Sequence, residues 1–141
     1  MTLIRKESSM NDKPTHNKII NSIFITKSNQ NTPILIWKVS PDESNGFDIH
    51  VQLVNLVIGK SYPVNVKINS FDGQKELLNA NDKIRITASD QFIDKNGIAE
   101  IKLPVTFDPK ELINIPAISA TITIDSEQTV VCLYLEDENI G

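Results

Sequence analysis

The chain has 141 residues and 40% of them are hydrophobic, so it is long enough for one globular domain with a core of its own. Its 18 acidic and 14 basic residues give a net charge of −4, a balance that argues against a nucleic-acid-binding protein. Cys132 is the only cysteine, which excludes an intramolecular disulfide and a thiolate metal cluster built from one chain.

The first part of the chain is polar and has no hydrophobic periodicity. Residues 1–18 are therefore predicted to form a flexible lead-in, followed by a single domain over residues 19–138. The sequence contains no secretory signal, no lipidation motif and no stretch of about 20 apolar residues that would span a bilayer. The default expectation is a cytoplasmic protein, with export by another route left open.

Short alternating segments separated by turn residues begin at Ile19. Ile19–Thr26 predicts a first strand. Ile34–Val39 predicts a second strand, and its apolar residues on both faces indicate a position that is covered on each side. The proline and the Asn-Gly pair within Ser40–Gly46 predict an exposed turn.

The middle of the chain contains one irregularity and one very regular strand. The apolar phase slips by one residue at Leu53–Val54, which predicts a β-bulge or a chain that leaves one sheet and joins the other. Tyr62–Asn69 predicts a strand with one buried and one polar face. The connection after it, residues 74–82, is predicted to contain a single helical turn at Lys75–Leu78.

The second half repeats the alternation, in the segments Lys83–Ala88, Ala99–Val105, Ala117–Asp125 and Thr129–Leu135. Between them, Asp108 as N-cap, Pro109 and Glu111 predict one or two helical turns over residues 109–114. Turns recur about every 8–12 residues, a spacing typical of an all-β sandwich. We therefore predict an immunoglobulin-like, two-sheet antiparallel sandwich of about 7–8 strands.

Reactive side chains are scarce. His16 lies in the lead-in, and His50 falls on the polar phase of a strand, which predicts a solvent-facing side chain rather than a catalytic base. Cys132 lies in an apolar run and is predicted to be a buried, unreactive thiol. Trp37, the only tryptophan, is predicted to be a core anchor between the sheets, with a ligand-binding role as the less favoured alternative.

Metal and carboxylate chemistry find little support. Two histidines and one cysteine far apart make a poor zinc site, and no EF-hand pattern fits. A weak calcium site at strand ends stays open, built from Asp90, Asp94 and Asn96. A glycosidase-like pair would have to come from distant positions such as Asp42, Glu43 or Glu100. The sequence therefore assigns no catalytic, cofactor-binding or metal-binding residue.

One segment carries a family resemblance. Asp94–Val105 reads Asp-Lys-Asn-Gly-Ile-Ala-Glu-Ile-Lys-Leu-Pro-Val and resembles the Asp-x-Asn-Gly-x-Ala hairpin and strand of bacterial immunoglobulin-like domains. The resemblance implies the sandwich architecture and little about activity, because sandwiches host many unrelated functions.

These observations favour a non-enzymatic protein-interaction module that presents loops or an edge strand to a protein partner or to a second copy. The candidate surface is the set of turns at 40–46, 71–82 and 90–97. One alternative is a structural component of a virion or a cell-surface assembly. A second is an enzyme whose carboxylates converge only in the fold. No nucleic-acid partner or membrane span is expected, no cofactor is assigned, and a small-molecule ligand stays open.

Overall fold

The computed structural model describes residues 18–85 and 97–137. They form eight β-strands and one short 3-10 helix, η1, which covers Pro109–Leu112. The strands are β1 (Ile20–Lys27), β2 (Ile36–Val39), β3 (Asn45–Leu53), β4 (Ser61–Ser70), β5 (Glu76–Arg85), β6 (Ala99–Phe107), β7 (Ala117–Ile124) and β8 (Glu127–Asp137). The predicted all-β architecture is confirmed.

The strands form two sheets. The smaller has the order β1-β3-β6, and the larger has the order β2-β8-β7-β4-β5. All pairs are antiparallel except β2 with β8, which run parallel. The immunoglobulin-like sandwich therefore has one parallel pair at its β2 edge, which the sequence pattern did not predict.

The core lies between the two sheets and follows from the period-2 alternation of the strands. In β4 the predicted inward positions are buried, with Tyr62 and Ile68 at most 1% exposed. In β7 the side chains of Ile118, Ile122 and Ile124 have no exposed surface. Burying a side chain of this size contributes about 1.5–3 kcal/mol, so these two strands supply much of the stability of the fold.

The phase slip at Leu53–Val54 marks the passage between sheets. β3 ends at Leu53 in the smaller sheet, and the chain then enters β4 in the larger one. Of the two predicted explanations, the change of sheet is the one observed. In the crossover between β3 and β4, Leu56 is buried and its backbone N–H donates to the carbonyl oxygen of Gly97 at 3.1 Å. This hydrogen bond joins the crossover to the chain just before β6.

The prediction for the second strand was wrong in its position. β2 lies at the edge of the larger sheet rather than in its interior, and Leu35 and Ile36 beside it are 74% and 55% exposed. Trp37 does pack against the core, as predicted, and its ring lies 6.1 Å from that of Phe47. An apolar residue on each face of a four-residue edge strand therefore reflects one core contact and one exposed side chain.

The predicted helical turn at Lys75–Leu78 is also wrong, because these residues enter β5 and pair with β4. β5 is stabilised by its pairing with β4 rather than by a hydrophobic alternation of its own. Asn65 of β4 donates its side-chain amide to the side-chain oxygens of Asn79 at 2.8 Å and Asn81 at 3.0 Å. Such cross-strand side-chain bonds stabilise a polar strand that single-strand periodicity does not reveal.

Two local predictions at chain connections have different outcomes. The short helix after β6 is observed as η1, and the Glu111 carboxylate accepts the backbone N–H of Asp108 at 2.8 Å, as a capping box requires. The hairpin at Asp94–Gly97 lies outside the described residues except for Gly97, which has a φ of 76°. The predicted lead-in lies outside them as well, except for Lys18.

Candidate functional site

A group of polar side chains surrounds His50 on the outer face of the smaller sheet. His50 is only 3% exposed, and its ring stacks on Phe24 with centroids 4.6 Å apart. Its Nε2 lies 2.9 Å from the hydroxyl of Thr26, and its Nδ1 lies 3.0 Å from a carboxylate oxygen of Glu100. One histidine on β3 thus connects the two outer strands of the sheet, β1 and β6.

The order hydroxyl, imidazole, carboxylate is the one that nucleophilic enzymes use. Here, however, Thr26 has no exposed surface, and its hydroxyl also donates to the carbonyl oxygen of Lys27 at 2.9 Å. An external substrate cannot reach that oxygen. The arrangement therefore joins three strands and does not form an accessible catalytic centre. The prediction of a solvent-facing His50 was wrong, because neighbouring strands cover an outward position.

A second buried polar group lies next to this cluster. Asp48 is 3% exposed, and its Oδ2 accepts the backbone N–H of Asn29 at 2.9 Å. The ammonium group of Lys102 lies 4.0 Å from the same oxygen. The buried Asp48 carboxylate thus has a hydrogen-bond donor from the turn after β1 and a positive charge from β6, as a buried carboxylate requires.

The candidate carboxylates do not converge. Asp42 and Glu43 lie in the exposed loop after β2, whereas Glu100 lies on β6 beside His50. The hydrogen bond from His50 lowers the pKa of Glu100, and hydrogen bonds led by that from Ser70 lower the pKa of Asp72. A general acid near neutral pH needs the opposite shift. Neither carboxyl group is therefore suited to that task.

Metal binding has a similar outcome. Within residues 18–85 and 97–137 no group of three or more His, Cys, Asp or Glu side chains is placed to hold a metal ion. The open calcium-site residues Asp90, Asp94 and Asn96 lie outside the described residues, as does His16.

Asn45 was predicted to be part of an exposed turn but has no exposed surface. Its side-chain oxygen accepts from the Trp37 indole N–H at 3.0 Å and from the backbone N–H of Ser40 at 2.7 Å. Its side-chain NH₂ donates to the carbonyl oxygens of Ser40 and Glu43 at 3.2 and 3.4 Å. Asn45 therefore fixes the loop after β2, and the Asn-Gly pair gave no signal of this role.

This loop forms one wall of a groove at the end of the sandwich, which we call the end groove. It has a cavity volume of about 960 Å³ and is open to solvent. Its other walls are η1 with the residues that follow it, and the last residues of β8. The apolar lining residues are Val39, Pro41, Pro109, Leu112, Ile113, Ile115, Pro116 and Leu135, and the charged ones are Asp42, Asp108, Lys110, Glu136 and Asp137.

A second exposed surface lies on the outer face of the larger sheet, at its β2 edge. Ile36 of β2 is paired with Tyr134 of β8, and Val130 lies on the same face of β8. Their side chains are 55%, 56% and 54% exposed. Cys132, between the last two, is half-buried on this outer face rather than buried in the core as predicted. We call Ile36, Val130, Cys132 and Tyr134 the outer apolar strip.

The predicted interaction turns are distributed unevenly over these surfaces. Residues 40–46 contribute Pro41 and Asp42 to the end groove. Residues 71–82 are mostly strand β5, and residues 90–96 lie outside the described part of the chain. Neither the end groove nor the outer apolar strip could be found from sequence, because both combine β2 with β8 from the far end of the chain.

Comparison with known proteins gives the fold. No protein-family model and no curated protein matches the chain. Among solved structures, a bacterial adhesin from Mobiluncus mulieris containing intramolecular disulfide, isopeptide and ester bond cross-links is similar, with a TM-score of 0.55 and 13% identity. A second crystal form of that adhesin gives a TM-score of 0.50 and 16% identity. The CARDB domain of a Pyrococcus furiosus protein in complex with di-metal ions gives a TM-score of 0.47 and 12% identity.

The coverage of these matches is unequal. The adhesin match covers 82% of this chain and 56% of the adhesin chain in one crystal form, and 77% and 47% in the other. This chain thus spans about half the length of the adhesin chains it matches. The CARDB match covers 88% of this chain and 100% of that one.

No helix within the described ranges has the length and apolarity needed to cross a membrane. The immunoglobulin-like β-sandwich predicted from the alternating segments, and from the resemblance at Asp94–Val105, is the fold of this chain.

Proposed function

We propose that this protein is a non-enzymatic interaction module that binds another protein through the larger sheet at its β2 edge. The observation that carries the proposal is the outer apolar strip. Within residues 18–85 and 97–137, nine large hydrophobic side chains are highly exposed, and three of them, Ile36, Val130 and Tyr134, lie together on two paired strands. Clustered exposed apolar residues mark interaction surfaces, whereas isolated ones are ordinary.

The rest of the same sheet face supports this assignment by contrast. Moving from β8 towards β5, the outward positions are polar: Thr121 and Thr123 on β7, Asn65 and Lys67 on β4, and Asn79 and Asn81 on β5. A sheet face that is meant only for water is polar throughout. The apolar character is confined to the β2 edge, where the outer apolar strip is followed by the exposed charged pair Lys38 and Glu136.

The test uses a matched pair of valine variants. Val130 lies in the outer apolar strip and is 54% exposed, whereas Val57 lies in the β3–β4 crossover and is 58% exposed. Val130→Lys and Val57→Lys add the same charge at similar exposure. Size-exclusion chromatography with light scattering over a concentration series measures self-association, and affinity capture from the native host with each variant as bait measures binding to other proteins.

We expect association, with a second copy or with a captured protein, that Val130→Lys weakens at least tenfold and Val57→Lys leaves unchanged. A charge placed in a desolvated contact is costly, while a charge at a solvated position is not. A strictly monomeric protein with identical captured sets for the wild type and both variants would refute the proposal.

A second candidate is a structural component of a cell-surface assembly. The similarity of fold to the Mobiluncus mulieris adhesin supports it. This candidate places the protein outside the cell and so competes with the cytoplasmic expectation. In the light-scattering series, growth into closed rings or fibres with rising concentration would favour it, and a limiting dimer or monomer would argue against it.

A further inference from the structure

We propose that the end groove binds an extended, positively charged segment of a partner protein with an apolar side chain as its anchor. The inference rests on the proposed function and adds a second contact surface, distinct in position and chemistry from the outer apolar strip. It commits to a cationic peptide as occupant, with a second copy and an acidic segment as the alternatives that the experiment separates.

The floor of the groove supplies the apolar contact. Leu112 and Ile115 are buried at 3% and 9% exposure, while Ile113 between them is 60% exposed. Leu135 of β8 and Val39 of β2 complete the aliphatic lining. An exposed isoleucine beside buried aliphatic side chains gives an incoming apolar side chain a surface to cover, at about 25 cal/mol per Å² removed from water.

The rim supplies the charge preference. Among the described residues that line the groove, the carboxylates of Asp42, Asp108 and Glu136 outnumber the one ammonium group, that of Lys110. Three of the fourteen lining residues are prolines, which have a carbonyl oxygen but no N–H. The described lining therefore carries more negative than positive charge, and a positively charged ligand complements it.

The shape favours a peptide over a small molecule. The volume of about 960 Å³ lies near the upper end of the ordinary ligand-site range, about 300–1,000 Å³. Small-molecule sites usually enclose most of the ligand surface, whereas this groove is partly open to solvent. An open groove with an aliphatic floor and a charged rim suits a segment that lays one side chain inward and its charges along the rim.

The walls are held in place before any ligand binds. Asn45 fixes the loop that carries Asp42 through four hydrogen bonds. The backbone N–H of Leu135 donates to the carbonyl oxygen of Pro116 at 2.9 Å, which joins β8 to the segment after η1. A groove with fixed walls loses less conformational entropy on binding, which favours affinity for a flexible segment.

The experiment uses a fluorescein-labelled nine-residue peptide that alternates lysine with leucine, and two control peptides. One alternates glutamate with leucine, and the other alternates lysine with serine. Fluorescence anisotropy against the full-length protein measures the Kd of each. The groove variants are Ile113→Lys and Asp42→Lys. Their matched controls are Ile58→Lys, at a position 50% exposed in the β3–β4 crossover, and Asp82→Lys on β5.

We expect the lysine–leucine peptide to bind and both control peptides to bind at least tenfold more weakly. Ile113→Lys and Asp42→Lys should each weaken binding about tenfold, because each removes a contact and adds a like charge. Ile58→Lys and Asp82→Lys should leave the Kd within about twofold. Circular dichroism confirms that all four variants are folded, as their exposed positions lead us to expect.

Each other outcome overturns the inference in a recognisable way. Equal binding of the glutamate–leucine peptide means that the groove does not select charge, and no binding means that it takes no such peptide. Binding that is lost in Val130→Lys but kept in Ile113→Lys places the contact on the outer apolar strip, so that the inference fails while the proposed function stands. A dimer that Ile113→Lys dissociates identifies a second copy as the occupant.

Discussion

Replacing Gly97 by alanine tests how closely the start of β6 packs against the crossover between the sheets. Gly97 has a φ of 76°, and a Cβ atom there would lie 2.5 Å from the carbonyl oxygen of Leu56 and 2.8 Å from its backbone nitrogen. Gly73 is a matched control, because its φ is 77° and a Cβ atom there would meet nothing within 4 Å. The two substitutions share the backbone strain and differ only in the clash.

The magnitudes can be worked out separately. A left-handed conformation costs a non-glycine residue about 1–2 kcal/mol, and the loss of unfolded-state freedom returns about 0.4–1 kcal/mol. Gly73→Ala should therefore lower the free energy of unfolding by about 0–1.6 kcal/mol. Gly97→Ala adds about 1–3 kcal/mol of overpacking and about 1 kcal/mol for the weakened hydrogen bond from Leu56. We expect it to be less stable than Gly73→Ala by about 2–4 kcal/mol.

The assay is urea unfolding followed by far-ultraviolet circular dichroism and by the fluorescence of Trp37, with both variants and the wild type at pH 7. Coincident transitions from the two probes would justify a two-state free energy. If the two alanine variants unfold with free energies within about 0.5 kcal/mol of each other, the backbone of Leu56 yields to the added methyl group. The close packing of the crossover against β6 would then be refuted.

Three further predictions concern polar groups that hold the sandwich together. His50→Phe keeps a ring against its aromatic neighbour and removes two hydrogen bonds, so urea unfolding should show a loss of about 1–2 kcal/mol at pH 7. His50 lowers the pKa of Glu100 below its usual value of 4.5. The stability that this contact contributes is therefore present above about pH 4.5 and is lost as the pH falls through the lowered pKa. The pH dependence of stability should be weaker in His50→Phe, and an unchanged pH profile would contradict this prediction. Asn45→Ala should cost about 2–3 kcal/mol in the same unfolding assay and shift the emission of Trp37, whereas unchanged emission would mean that the indole bond does not form in solution. In the wild type, backbone N–H groups at the start of β1 donate to the Glu127 carboxylate at 2.7–3.0 Å. Glu127→Gln should weaken these bonds and raise the amide exchange rates there, and unaltered exchange would argue against the contact.

The strands that could be predicted are those whose burial is decided by their own alternation. In β4 and β7 every second side chain faces the core, so the pattern contains the answer; Tyr62 and Ile118 are examples. β5 could not be predicted because its stabilisation comes from the neighbouring strand, through the amide of Asn65. A polar edge strand therefore resembles a loop in sequence.

The contacts around His50 were harder to predict from the sequence than β5. His50 lies on the outward phase of its strand, and its burial results from Phe24 and Glu100 on two other strands. Only the register between β1, β3 and β6 brings these three residues together, and a single sequence does not contain that register. The short β2 strand was predicted, but its edge position depends on parallel pairing with β8.

That parallel pairing has a consequence for how the protein forms during synthesis. Of the eight described strands, β8 is the last to leave the ribosome, yet it lies between β7 and β2 in the larger sheet. Until Glu127–Asp137 emerges, β2 has no partner in that sheet and β7 presents an open edge. Native contacts between distant parts of the chain form slowly, and unpaired edges invite association with other chains. We expect nascent chains that lack β8 to require chaperone protection, although the smaller sheet is complete once β6 has emerged.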